Sequence, residues 1–359
     1  MLYKKKSQKR IIIPIIIVLA LIAAAFAAAT AVTAHYMGLN FGRGEYSDPR
    51  FITEYYYEHY ESAYPRTEVS FKSGKNTLKG FIYGGDNDKA LLVFAHGLGC
   101  GHEDYINTLL WFVDRGWRVF AYDATGSGYS EGKGTRGLPQ SALDLDAALT
   151  FAENDPRLNS LPVFLMGHSW GSYAVTAVLN SDYFDHDIKG VASVSGYAEP
   201  VQMIYEFASG VVGNARPLLY PSLWLYNKVL FGKYAGLSAI DGINASGIPV
   251  LIFHGNADET IGYNESAIIN RRSEITNPNV QYVTLDGCTH GGMFYTAEAL
   301  EYKDKFWEAR SKLYDEYGGD VSENVLLELY DNADRELVNQ PNTEFFEQIE
   351  AFFDNILAE

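Results

Sequence analysis

From residue 67 onward the chain alternates short runs of large apolar residues with longer amphipathic stretches. Residues 67–72 and 77–83 read as an antiparallel pair, with Ser73-Gly74-Lys75-Asn76 as the turn. Leu91-Leu92-Val93-Phe94-Ala95 has no polar face to offer water, which suits a strand buried on both sides. Further strands are predicted at 117–122, 162–166, 191–194, 249–253 and 280–285. Helices are predicted at 103–115, at 141–154 with Ser141 as its cap, at 172–179 and at 343–357. Strands alternating with helices imply an α/β protein with a mainly parallel sheet and helices on both faces. Two stretches are longer than such a sheet requires. Residues 199–246 lie between two strands and are rich in large apolar side chains, including Tyr205, Phe207, Leu218, Leu219 and Trp224, so they read as a helical cap. Residues 293–342 are charged and helical in pattern, an extra insertion whose default reading is a solvated face.

The pattern differs near the start of the chain. Residues 11–34 form an uncharged run of 24 residues. As a helix it would be about 36 Å long, enough to cross a hydrocarbon core of about 30 Å. Lys4, Lys5, Lys6, Lys9 and Arg10 precede it, which favours holding that flank in the cytoplasm. The expected organisation is a basic flank and transmembrane signal anchor at 1–34, a juxtamembrane stalk at 35–65 and a body at 66–359. The protein would then be single-pass in the cell membrane, with its body extracytoplasmic. The alternative is a signal peptide cleaved near Val32-Thr33-Ala34, which would secrete the body. The stalk contains Tyr55-Tyr56-Tyr57, Tyr60 and Tyr64, which suit either a lipid interface or packing on the body. Ser47-Asp48-Pro49 resembles a helix start.

The chain has 359 residues and a formal net charge of −17, which argues against nucleic-acid binding. Two cysteines, Cys100 and Cys288, are too few for a disulfide framework or a cysteine-rich metal site. No H-E-x-x-H, P-loop or G-x-G-x-x-G opening a βαβ unit occurs.

The candidate chemistry centres on Gly167-His168-Ser169-Trp170-Gly171, between a predicted strand and a predicted helix. A G-x-S-x-G sequence in that setting is a nucleophile elbow. The turn needs small residues two before and two after the serine, and it lifts the hydroxyl clear of the backbone. A nucleophilic serine needs a base, and the base needs an orienting carboxylate. Asp258 follows the strand at 249–253, and His290 follows the strand at 280–285. Both fall beyond the carboxyl ends of strands, at the edge where open α/β sheets bind ligands. Glu259 and Asp286 are rival acids. His168 belongs to the elbow, with its side chain expected to point away from the nucleophile. An oxyanion hole needs two N–H donors, expected from Trp170 and from Leu98 in His96-Gly97-Leu98-Gly99.

With these residues in place, the chain resembles the α/β-hydrolase superfamily, especially its monoacylglycerol lipase-like and serine aminopeptidase-like branch. The matching stretches are His96-Gly97-Leu98-Gly99, residues 123–132, the elbow, His254-Gly255-Asn256-Ala257-Asp258 and His290-Gly291. Related enzymes often carry an arginine where Thr125 stands. The resemblance covers about 68–292 and the last helix, leaving out the anchor, the stalk and the insertion at 293–342. It implies an α/β-hydrolase fold and hydrolysis by Ser169, His290 and Asp258 through an acyl-enzyme, without a metal or organic cofactor. An ester of an apolar or lipid-like acyl group is the expected substrate. A serine aminopeptidase, an acyltransferase and a non-catalytic binding protein on the same fold are the alternatives. Cys100 and Cys288 lie in loops that should converge at the site, where they would be either free thiols or a disulfide.

Overall fold

The computed structural model describes residues 3–208, 213, 217 and 219–359, with side chains from residue 12 onward. A long helix, α1 (Tyr3–Asn40), precedes the body, followed by a 3₁₀ turn at Pro49–Phe51 and a single helical turn at Tyr57–Tyr60. The Ile12–Asn40 portion of α1 is long and apolar enough to cross a membrane, with a mean hydropathy of 2.9 over its most apolar 18 residues.

The strands are β1 (Arg66–Ser73), β2 (Asn76–Tyr83), β3 (Leu91–Ala95), β4 (Arg118–Tyr122), β5 (Val163–His168), β6 (Ile188–Val194), β7 (Val250–Gly255) and β8 (Val280–Leu285). They form one sheet in the order β1-β2-β4-β3-β5-β6-β7-β8. The β1–β2 and β2–β4 pairs are antiparallel, and every pair from β4 to β8 is parallel. The chain leaves β3 on one side to make β4, then crosses to the other side to make β5. The loops after β3 and β5 therefore diverge and leave a crevice at the carboxyl edge of the sheet.

The two faces of the sheet carry separate cores. Leu91, Val93, Leu165, Val250 and Ile252 pack on one face. Leu92, Phe94, Phe164, Met166, Leu251 and Phe253 pack on the other. This strict alternation is the period of two that a strand imposes, and it explains why β3 shows no polar side. The helices of the body are α2 (Ile106–Val113), α3 (Gln140–Asn154), α4 (Trp170–Ala177), α5 (Pro200–Phe207), α6 (Tyr220–Phe231), α7 (Ala239–Ser246), α8 (Ala297–Glu316), α9 (Glu323–Asp331), α10 (Arg335–Val338) and α11 (Thr343–Leu357). Helix α11 covers one face with Phe345, Phe346, Ile349, Phe352 and Phe353, spaced as one stripe of a 3.6-residue helix.

Helices α5, α6 and α7 form the excursion between β6 and β7 that was expected as a cap. Leu218 and residues 209–212 and 214–216 lie outside the described residues. The insertion after residue 293 is helical, as α8, α9 and α10.

Three local expectations differ from the structure. Helix α3 begins one residue before Ser141, and the Ser141 hydroxyl donates to the carbonyls of Leu138 and Trp170 instead of capping the helix. The helix expected from residue 103 opens as a 3₁₀ turn, His102–Tyr105, because the side chains there are drawn into a polar cluster. Arg66 donates to Glu103 at 2.9 Å, and Asp104 reaches back to the Gly101 N–H at 2.7 Å. Pro49–Phe51 is a short 3₁₀ turn whose cap, Asp48, accepts from the Arg50 N–H.

Residues 41–65 pack on the body. Tyr46 Oη donates to Asp123 at 2.8 Å, Tyr60 Oη to Asn107 at 2.7 Å and Tyr64 Oη to Asp114 at 3.0 Å. The end of α1 joins the core as well: Met37 and Phe41 are buried, and the Thr33 hydroxyl meets that of Ser222 on α6 at 3.0 Å.

Candidate active site

Ser169 sits between β5 and α4 with φ 57° and ψ −113°, a left-handed strained backbone for a residue with a side chain. The close approach explains the flanking glycines. A Cβ on Gly171 would strike the Ala95 carbonyl, and one on Gly167 would strike the Gly171 carbonyl. Trp170 is the first residue of α4, so its N–H has no acceptor within the helix. The loop after β3 turns on a Cys100 N–H bond to the Gly97 carbonyl at 3.3 Å, which leaves Leu98 N–H outside the turn bond.

Asp258 and His290 meet. His290 Nδ1 lies 2.7 Å from Asp258 Oδ2, which fixes the proton on Nδ1 and leaves Nε2 to accept. Asp258 Oδ1 takes the N–H groups of Thr260 and Ile261, each at 2.9 Å. His254 Nε2 lies 3.2 Å from Oδ2. Burial works against ionisation of this carboxyl. The hydrogen bonds from His254 and His290, the His290 charge and the Ile261 N–H outweigh burial and hold its pKa well below the usual range. The rival acids are placed elsewhere. Asp286 binds Asn256 Nδ2 at 2.8 Å, and Glu259 is exposed.

His168 does more than sequence reasoning suggested. Its Nε2 donates to the His290 carbonyl at 2.8 Å. Its Nδ1 accepts from Tyr105 Oη at 2.8 Å, and Tyr105 Oη accepts from the Gly97 N–H at 3.1 Å. One relay thus joins the loop after β3, the elbow and the loop that carries His290. Burial, reinforced by the His290 charge, lowers the His168 pKa to about 3, so the ring stays neutral, as this donor and acceptor pattern requires. His96 plays a parallel part: Nδ1 donates to the Gly97 carbonyl at 2.7 Å and Nε2 accepts from the Ala124 N–H at 2.9 Å. Burial lowers its pKa as well. Thr125, where relatives often have arginine, binds buried Asp144 through its N–H at 2.7 Å and its hydroxyl at 2.9 Å.

The serine aminopeptidase (S33) family pattern matches residues 86–241. The match lies on the segment that carries the elbow, and the sheet order agrees with it. The chain has the α/β-hydrolase fold. It is similar to a non-heme chloroperoxidase of Streptomyces lividans, at 24% identity over 60% of this chain and 90% of that one. It is also similar to the uncharacterized protein YfhR of Escherichia coli O157:H7, at 26% identity over 50% of this chain and 57% of the relative. Among solved structures, the esterase Pf2001 of Pyrococcus furiosus shares the fold with a TM-score of 0.51, at 20% identity over 74% of this chain and 96% of that one.

Within this fold, Cys100 and Cys288 are free thiols, not the disulfide that was the alternative. Burial pushes the Cys100 thiol up to about 12 and raises that of Cys288. The His168 contact escaped sequence reasoning because its partner lies 122 residues away. The available signal was the histidine itself, a ring with one donor and one acceptor beside the serine.

Proposed function

We propose that this α/β-hydrolase is a serine hydrolase that cleaves carboxylic esters of apolar or lipid-like acyl groups. Ser169 attacks the acyl carbon while His290 Nε2 takes its proton. Asp258 holds the imidazole in the required tautomer and stabilises its cation. The N–H groups of Leu98 and Trp170 receive the developing oxyanion. The alcohol leaves with the proton from His290. Water then attacks the acyl-enzyme with His290 as base, and the acid and free serine are restored.

The observation that carries this reading is the 2.7 Å bond from His290 to Asp258, in a loop tied by His168 to the strained Ser169 elbow. The apolar preference is supported by the cap. Phe207, Tyr220, Trp224 and Val229 are exposed on α5 and α6, and α6 is the element that the end of α1 packs against. With α1 anchored in a membrane and the body on its outer side, the cap lies where acyl chains concentrate.

The test is hydrolysis of p-nitrophenyl esters from acetyl to palmitoyl by the full chain in a non-ionic detergent, beside Ser169→Ala. Turnover is expected to be lost in the variant and to peak beyond acetyl in the wild type. Equal rates for acetyl and long chains would count against acyl selection. Cleavage of aminoacyl p-nitroanilides in preference to esters would favour the aminopeptidase reading.

A further inference from the structure

Asp258 meets two histidines, and the proposed chemistry uses one of them. The other, His254, follows the apolar run of β7 and is fully buried. Its Nε2 donates to the Ile261 carbonyl at 2.9 Å and lies 3.2 Å from Asp258 Oδ2. Both neighbours are acceptors, so the proton sits on Nε2. Nδ1 has no hydrogen-bond partner among the described residues. An apolar side chain would fill this space at less cost, because burying a polar ring is favourable only where its polar atoms find partners. The purpose of the ring therefore lies at its Nε2 end.

That N–H closes a circuit around the carboxylate. Ile261 gives its own N–H to Asp258 Oδ1 at 2.9 Å, beside that of Thr260. The Ile261 carbonyl is held in turn by His254. The turn that grips Oδ1 is thus fixed to β7 through one imidazole N–H. The same N–H lies against Oδ2, the oxygen that His290 Nδ1 uses at 2.7 Å. A donor in that position stabilises negative charge on Oδ2 independently of His290. Without it, Asp258 would attract the His290 imidazolium more strongly, and His290 would release its proton at a higher pH.

We propose that His254 is a positioning residue for the triad: through Nε2–H it locks the Asp258 carboxylate in place and tempers its pull on the His290 imidazolium. The effect on turnover rests on the serine hydrolase reading. The other titratable groups facing this cluster are His168, whose ring centre lies 4.8 Å from that of His290, Tyr263, at 5.9 Å from the His254 ring, and Cys288. All three are common to the proteins compared below.

The test is the pH profile of kcat/KM for p-nitrophenyl butyrate, with the full chain in a non-ionic maltoside, for the wild type, His254→Gln and His254→Met. Glutamine and methionine have nearly the same length, and only glutamine carries an N–H. The acid limb of this profile reports the base of the free enzyme. His254→Met is expected to lower kcat at least tenfold with KM within twofold, and to move the acid limb up by at least about half a pH unit. His254→Gln should return the limb to within about 0.2 of the wild type and restore most of kcat. A limb that stays in place in His254→Met, or a glutamine variant no better than the methionine one, would overturn the proposal, since a space-filling ring alters the thermal midpoint and not the limb. A second measurement needs no variant. In the unaltered chain labelled with ¹⁵N-histidine, the His254 Nε2–H resonance should move as His290 takes up its proton; a resonance indifferent to that step would overturn the proposal even where a variant fails to fold. Absence of both ester turnover and fluorophosphonate labelling in the wild type would count against the hydrolase reading, and the resonance would then still decide whether His254 is coupled to His290.

Discussion

Asp258→Asn is the sharpest perturbation of the proposed triad, because it changes charge and donor pattern while keeping shape. The carboxylate serves two sets of donors, the Thr260 and Ile261 N–H groups on Oδ1 and His290 and His254 on Oδ2. An amide has one acceptor oxygen, and the two backbone donors are fixed by their turn. The oxygen therefore stays with them, and the NH₂ group faces His290 Nδ1. The imidazole must then accept at Nδ1 and carry its proton on Nε2, where it can no longer receive one from Ser169. A wrong tautomer in otherwise intact geometry costs about 10⁴ in kcat, or about 5 kcal/mol of transition-state stabilisation. The assay is kcat and KM for p-nitrophenyl butyrate with the full chain, beside the thermal midpoint. A fall of less than tenfold in kcat, or an effect confined to KM, would refute the assignment of Asp258.

Other consequences follow from the same contacts. Replacing His168 by Asn removes the donor to the His290 carbonyl and should lower kcat at least tenfold with little change in KM. His168 titrates near 3 when folded and near its ordinary 6.5 when unfolded. The unfolded chain takes the proton first, so its contribution is complete above pH 6.5 and is lost as pH falls toward 3, by about 4 kcal/mol across that range. Urea midpoints at pH 7 and pH 4.5 should accordingly differ less in His168→Asn than in the wild type. Asp104 has the opposite sign: its folded pKa of about 6 exceeds its ordinary 3.8, so its ionisation destabilises the fold above pH 6. Asp104→Asn should therefore raise stability at pH 8 by no more than about 1 kcal/mol, because water screens this exposed carboxylate, with the gain shrinking toward pH 4, as read from thermal midpoints. Met37 is buried at the foot of α1, so Met37→Ala should cost about 2–3 kcal/mol of body stability in chemical denaturation; no change would show that α1 is only tethered to the body.

Local pattern carried most of the sheet. Strand β3 was readable to the residue because a strand buried on both faces permits only apolar side chains, and α11 was readable from its phenylalanine stripe. The elbow was readable because the Gly167 and Gly171 contacts leave no room for a side chain. The positions of Asp258 and His290 followed from the rule that ligands gather past the carboxyl ends of parallel strands. What local pattern could not carry was the matching of polar groups far apart in sequence. Tyr46 finds Asp123 across 77 residues, and His168 finds His290 across 122. Ser141 looked like a cap because nothing near it in sequence announces the Leu138 and Trp170 carbonyls that hold its hydroxyl.

The central claim is that Ser169 is an activated nucleophile. The direct measurement is reaction of the folded full chain with a fluorophosphonate at pH 7.5, followed by peptide mass mapping. The account predicts one adduct, on Ser169, absent from Ser169→Ala and at least a hundredfold slower to form in His290→Ala. An adduct on another serine, or none on a protein shown to be folded, would contradict it.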